Sequence, residues 1–138
     1  MEVELKKLIS QHQDIQKNIE MIQAQKNMLL SNINNIELSI KSIHTLSNNK
    51  NEENLIDIMI PIGSDCFIKS KVKRLDSKIF VNIGSGIALL KNDIDTIEYL
   101  TEKKKSFEKM IYNINDSLEK MYTSLYNIEY QINKINNK

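Results

Sequence analysis

Residues 56–91 read IDIMIPIGSDCFIKSKVKRLDSKIFVNIGSGIALLK, and the period of this stretch decides the fold. Ile56, Ile58, Ile60 and Ile62 alternate with Asp57, Met59 and Pro61, the period of two expected of a strand. Gly63-Ser64 fits a two-residue hairpin turn with glycine first. Cys66 to Val72 follows as the returning strand, and Lys73 to Ser77 is a polar link. Ile79, Val81 and Ile83 then alternate with Lys78, Phe80 and Asn82, Gly84-Ser85-Gly86 makes a second tight turn, and Ile87 to Leu90 returns. Two consecutive β-hairpins are therefore predicted within residues 52–91. Pro61 has no amide donor, so it belongs at an edge or a bulge.

On both sides of this stretch the period changes. From the N-terminus, Leu5, Leu8, Ile15, Ile19, Ile22, Leu29, Ile33, Ile36, Ile40 and Ile43 fall on alternating spacings of three and four, with His12 and Lys26 as polar entries. About six heptads without glycine or proline predict a coiled-coil helix over residues 1–47, roughly 70 Å long. It is expected to stop in Ser47-Asn48-Asn49-Lys50-Asn51. Residues 92–138 repeat the pattern with Ile97, Leu100, Phe107, Ile111, Ile114, Leu118, Met121, Leu125, Ile128, Ile132 and Ile135, broken by Lys104. Asn92 or Asp93 is the expected N-cap, and Asp93, Asp95 and Glu98 suit the positive end of the helix dipole. The seams have nearly equal length, so they pair end to end in an antiparallel hairpin. Facing positions then add to about 140, which sets Leu5 against Ile135, Ile19 against Met121, and Ile43 against Ile97.

Composition narrows the function. The chain has 138 residues, 41% hydrophobic and 27% charged, which fits one folded domain rather than a disordered tail. A net charge of +1 lacks the basic excess of a dedicated nucleic-acid binder. A single cysteine excludes a disulfide framework within the chain and fits a reducing compartment, so the cytoplasm is expected. The start, MEVELKKLISQHQD, is too polar for a signal peptide, and no apolar run is long enough to span a membrane.

Nothing in the sequence supports catalysis, so no enzyme activity, cofactor or metal is expected. Gly84-Ser85-Gly86 lacks the third glycine of a dinucleotide loop, with Leu89 in its place, and a strand follows it. Cys66, His12 and His44 are too few for a zinc site. Lys103-Lys104-Lys105 is interleaved with Glu98, Glu102 and Glu108 and reads as a solvated face. His12, Lys26 and Lys104 read as polar interruptions that help set register.

Two short hairpins cannot bury both of their faces, and their open edges are templates for pairing. The stable solution is a sheet or barrel shared between several chains. The expected fold class is α+β: a long antiparallel coiled-coil hairpin, with two β-hairpins between the helices forming a shared β body. Ile58, Ile60, Ile62, Phe67, Ile68, Ile79, Val81, Ile83, Ile87 and Leu89 are the candidate assembly residues.

Long helix, two hairpins, long helix resembles the layout of the prefoldin α-class subunit over essentially the whole chain, as a single domain of residues 1–138. Ile60-Pro61-Ile62-Gly63 looks like the family's first hairpin, and Lys78 to Gly86 is similar to its second, with Asn82 where the family often has aspartate. The β-class has one hairpin, so two point to the α-class. The resemblance implies an archaeal-type, ATP-independent holdase that captures unfolded protein clients at its coiled-coil tips and passes them to a group II chaperonin. It implies β-class prefoldin subunits as partners, or copies of the chain itself where an α-like paralogue self-assembles. The implied client-binding residues are Val3, Leu5, Leu8, Ile9, Ile128, Tyr130, Ile132 and Ile135, with Tyr122, Tyr126 and Tyr130 as a flanking stripe. Leu5, Leu8, Ile128, Ile132 and Ile135 belong to the seam and would be uncovered by fraying. Two competing expectations are a structural assembly protein with the arms as spacers, and an RNA-gripping coiled coil. The near-neutral helices count against the second.

Overall fold

A computed structural model of the chain describes residues 2–48, 55–73 and 78–137. The elements are α1 (Glu2–Asn48), β1 (Leu55–Gly63), β2 (Cys66–Lys73), β3 (Ile79–Gly84), β4 (Ile87–Lys91) and α2 (Asp93–Asn136). This is the predicted order, with boundaries within a residue or two. The expected helix stop beyond Asn48, the link from Arg74 to Ser77 and Met1 lie outside the described residues.

The chain divides into two compact units. One comprises residues 1–34 and 105–138, the helical arm. Its core is the seam the heptads define. Leu8, Ile19, Leu29 and Leu118 are buried. His12, Ile15, Ile22, Lys26, Ile111, Met121, Leu125 and Ile128 are half-buried. Each buried Leu or Ile contributes about 1.5–3 kcal/mol toward offsetting the cost of ordering long helices. Hydrogen bonds that tie α1 to α2 in this unit include His12 Nε2 to Glu129 Oε1 at 2.9 Å, and Gln23 Nε2 donating to the Tyr122 hydroxyl at 2.6 Å. Within α2, the hydrogen bond and charge of Asp116 hold the exposed Lys120 ammonium above its usual pKa.

The other unit, residues 35–104, holds the ends of both helices and the four strands. Here Lys104 Nζ lies 2.7 Å from Glu37 Oε1, and the Ser47 hydroxyl donates to the Asp93 carboxylate. These cross-helix pairs join positions that add to 140–145, the antiparallel register the seams imply. The start of α2 is capped by Asn92, settling the choice between Asn92 and Asp93. Its Oδ1 accepts from the Asp95 amide at 2.8 Å, and its Nδ2 donates to the Asp95 carboxylate at 3.0 Å. The exchange is the reciprocal logic of a capping box. Thr96, 2% exposed, is satisfied locally: its hydroxyl donates to the Asn92 carbonyl at 2.7 Å.

The strands form two separate two-stranded antiparallel sheets, β1 with β2 and β3 with β4. The first turn differs from expectation. Gly63 pairs with Cys66, so the turn residues are Ser64 and Asp65 rather than Gly63-Ser64. Both have positive φ, 47° and 57°, the pattern of a type I′ turn, which matches the right-handed twist of the strands. The register slips between Pro61 and Gly63, a bulge that also accommodates the proline. The second hairpin repeats the device: a slip between Asn82 and Gly84, then Ser85 and Gly86 with φ of 53° and 74°. Asn82 Oδ1 accepts from the Gly84 amide at 2.9 Å and braces this bend.

Candidate functional site

Two surfaces carry more exposed apolar side chain than a solitary soluble chain needs. The first lies at the end of the arm unit. Val3 (82% exposed), Ile9 (41%), Tyr126 (69%) and Tyr130 (63%) project outside the seam. Tyr122 belongs to the same stripe, but its hydroxyl is engaged by Gln23. The seam members of the candidate set are covered: Leu8 is buried, and Leu5, Ile128, Ile132 and Ile135 are half-buried. The structure therefore separates the candidate residues into an exposed group and a covered one. Heptad position is the signal that separates them, since Val3, Ile9 and Tyr130 fall outside the alternation that holds the rest.

The second surface is the pair of hairpins. Register places Ile56, Ile58 and Ile60 on one face of the first hairpin, opposite Val72, Ser70 and Ile68. Burial is graded along it. Ile56 is buried, Ile58 and Val72 are half-buried, and Ile60, Ile68 and Ile62 near the turn are exposed. Phe67 pairs with Pro61 and so lies on the opposite face from Ile60 and Ile68. In the second hairpin Val81 is buried and Ile79 half-buried, whereas Leu89, Ile83 and Ile87 are exposed.

Sequence reasoning missed part of this surface. Phe80 and Leu90 form an exposed apolar pair on the other face of the second hairpin, and Met59 is exposed beside Phe67's face of the first. Phe80 also borders an open groove lined by Leu38, Ile43, Val81 and Tyr99. A period of two identifies two faces but cannot tell which one the rest of the chain covers.

The polar chemistry is sparse. Cys66 is exposed, with its thiol directed at the Ser64 carbonyl. Among the described residues, no three His, Cys, Asp or Glu side chains come together as metal ligands would. Among the same residues, no helix is long and apolar enough to cross a membrane.

Comparison with known proteins bears on the same elements. The prefoldin subunit family model matches residues 15–138. A prefoldin subunit alpha of Methanococcoides burtonii is 31% identical, covering 93% of this chain and 90% of its own. One from Nitrosopumilus maritimus is 34% identical over 73% of this chain and 66% of its own. Among solved structures, filamentous PFD from Methanocaldococcus jannaschii superposes with a TM-score of 0.70 at 16% identity, covering 91% of this chain and 98% of that one.

Proposed function

The chain belongs to the prefoldin family, a family of chaperones rather than enzymes, and from that premise we propose that it is an ATP-independent holdase subunit. In this reading residues 1–138 act as one domain in the cytoplasm. The end of the arm captures unfolded protein, and a group II chaperonin receives it. Val3, Ile9, Tyr126 and Tyr130 hold the client first, because they are open without any rearrangement. Leu5, Leu8, Ile128, Ile132 and Ile135 add to the site only when the last turns fray. That contrast in exposure is the observation that carries the reading. A few partial contacts per arm are weak, each worth less than the roughly 1.5–3 kcal/mol of a fully buried side chain. Useful affinity then comes from several arms acting on one client.

Several arms require assembly, and the exposed hairpin faces supply the surface for it. Ile60, Ile62, Ile68, Ile83, Ile87 and Leu89 pack against β-class prefoldin subunits or against copies of the same chain. The second arrangement, a homo-oligomer or filament with a mainly structural role, is favoured by one observation: the superposed archaeal relative is filamentous.

Light scattering from a chemically unfolded client, diluted into buffer without ATP, tests the proposal. The full chain is compared with a form lacking about ten residues at each end, with and without a β-class subunit. Suppression lost on truncation supports capture at the arm end. Equal suppression by both forms moves the site elsewhere, and none in any mixture favours the structural role.

A further inference from the structure

The face of the first hairpin that carries Phe67 also carries a row of charge. Leu55, Asp57 and Met59 stand on it directly opposite Lys73, Lys71 and Lys69. The three lysines are exposed and follow one another at about 7 Å along β2. Only Lys71 has an acid across from it, and none of the three forms an ion pair among the described residues. One lysine on an edge strand suffices to deter strand addition. Three on one face repel each other, which a guard role does not require.

The same unit carries the opposite charge on α2. Asp95, Glu98 and Glu102 are spaced by three and four residues, so they share one side of the helix, and all are exposed. The helix dipole and the Asn92 cap account for Asp95, which sits in the first turn. Contrary to the expectation from sequence, the dipole does not account for Glu98, which with Glu102 lies beyond the first turn, where its effect fades. Like charges at this i,i+4 spacing cost stability, and neither forms an ion pair among the described residues. The three acids span about 10 Å along the helix and the three lysines about 14 Å along the strand. Flexible lysine stems close that difference.

We propose that the lysine row of β2 docks on the Asp95–Glu98–Glu102 face of α2 in a second copy of this chain. Charge complementarity selects that occupant, because both halves are present on one chain and, among the described residues, no ion pair engages Lys69, Lys71, Lys73, Glu98 or Glu102. The contact joins two different surfaces, so made reciprocally it closes a two-fold dimer and repeated head to tail it builds a ring or an open chain. It uses the opposite face of the hairpin from Ile60 and Ile68, so it stands independently of the apolar assembly proposed above. Its role is to choose and orient the neighbouring copy, which is what charge across an interface does best.

Sedimentation velocity on the full chain tests this at about 0.05 M and about 0.5 M salt, since the higher concentration screens exposed charges. Three variants are compared: Lys69→Glu/Lys71→Glu/Lys73→Glu, Glu98→Lys/Glu102→Lys, and one chain with all five changes. All five sites are exposed, and helix content by circular dichroism checks the fold of each variant. The expected result is self-association at low salt that weakens about tenfold or more in either partial reversal. It returns when the two partial variants are mixed, and again in the five-site chain. A five-site chain as weak as the lysine reversal overturns the proposal, as does wild-type association insensitive to all three variants. A wild type that binds a fluorescent single-stranded oligonucleotide through these lysines without associating at low salt also overturns it, making a polyanion the occupant. Assembly that persists at high salt reports on the Ile60 face instead, so its presence or loss leaves this contact to be judged by the salt-sensitive step alone.

Discussion

Val81 and Leu89 stand directly opposite each other across β3 and β4, yet Val81 is 8% exposed and Leu89 is 43% exposed. The limit of the chain's own packing runs between them. Val81 belongs to the fold and Leu89 to whatever covers the hairpin. Val81→Ala should lower stability by roughly 1–3 kcal/mol, read as a drop in the urea midpoint. Leu89→Asp should leave that midpoint almost unchanged and shift the protein toward smaller species in sedimentation. Equal stability losses in the two variants would contradict this division.

The arm makes the same distinction. Leu118 is 7% exposed in the seam, and Tyr126 lies outside it. Leu118→Ala should cost about 2–5 kcal/mol of stability. Val3→Ser, Tyr126→Ser and Tyr130→Ser combined should leave thermal unfolding within a few degrees of wild type while reducing aggregation suppression at least severalfold. Undiminished suppression by the triple variant would remove the off-seam residues from the client site.

Asn92 holds the first turn of α2 by exchanging two hydrogen bonds with Asp95. Asn92→Ala should cost about 1 kcal/mol, within the range of roughly 0.5–2 known for lost caps. Asn92→Ser should recover most of it, because a hydroxyl still accepts from the Asp95 amide and sets no second carboxylate against Asp95. Chemical denaturation of the three proteins side by side gives the comparison.

Gly86 has a φ of 74°, and nothing lies within 4 Å of where a Cβ would stand. Gly86→Ala should therefore destabilise through the backbone alone, by about 1–2 kcal/mol, the cost of the left-handed conformation for a residue with a side chain. Gly86→Asn should cost less, because asparagine tolerates that region. An alanine variant as stable as wild type would mean that the turn can relax to another type.

Much of this was legible before any coordinates. Three-four spacing placed both seams residue by residue, because a helix has one buried stripe and its period is fixed. Equal seam lengths also set the antiparallel register, which His12–Glu129 and Lys104–Glu37 report directly. The first turn was displaced by one residue because Gly63 and Asp65 both suit a tight bend. Only the bulge after Pro61, a pairing between strands, decides between them. The lysine row is obscured in the linear sequence for a related reason. In sequence Lys69, Lys71 and Lys73 are merely separated by Ser70 and Val72, and only the strand's alternation gathers them on one face.

By itself, then, the sequence determined the element order, the two seams and the family, since each rests on local periodicity or on short motifs. Tertiary structure decided which hairpin residues are covered and which stay open. It also decided which polar groups meet across the helices and which residues stand opposite each other across the strands. Those properties depend on strand pairing and on packing between segments far apart in the chain, where a shift of one residue moves every side chain to the opposite face.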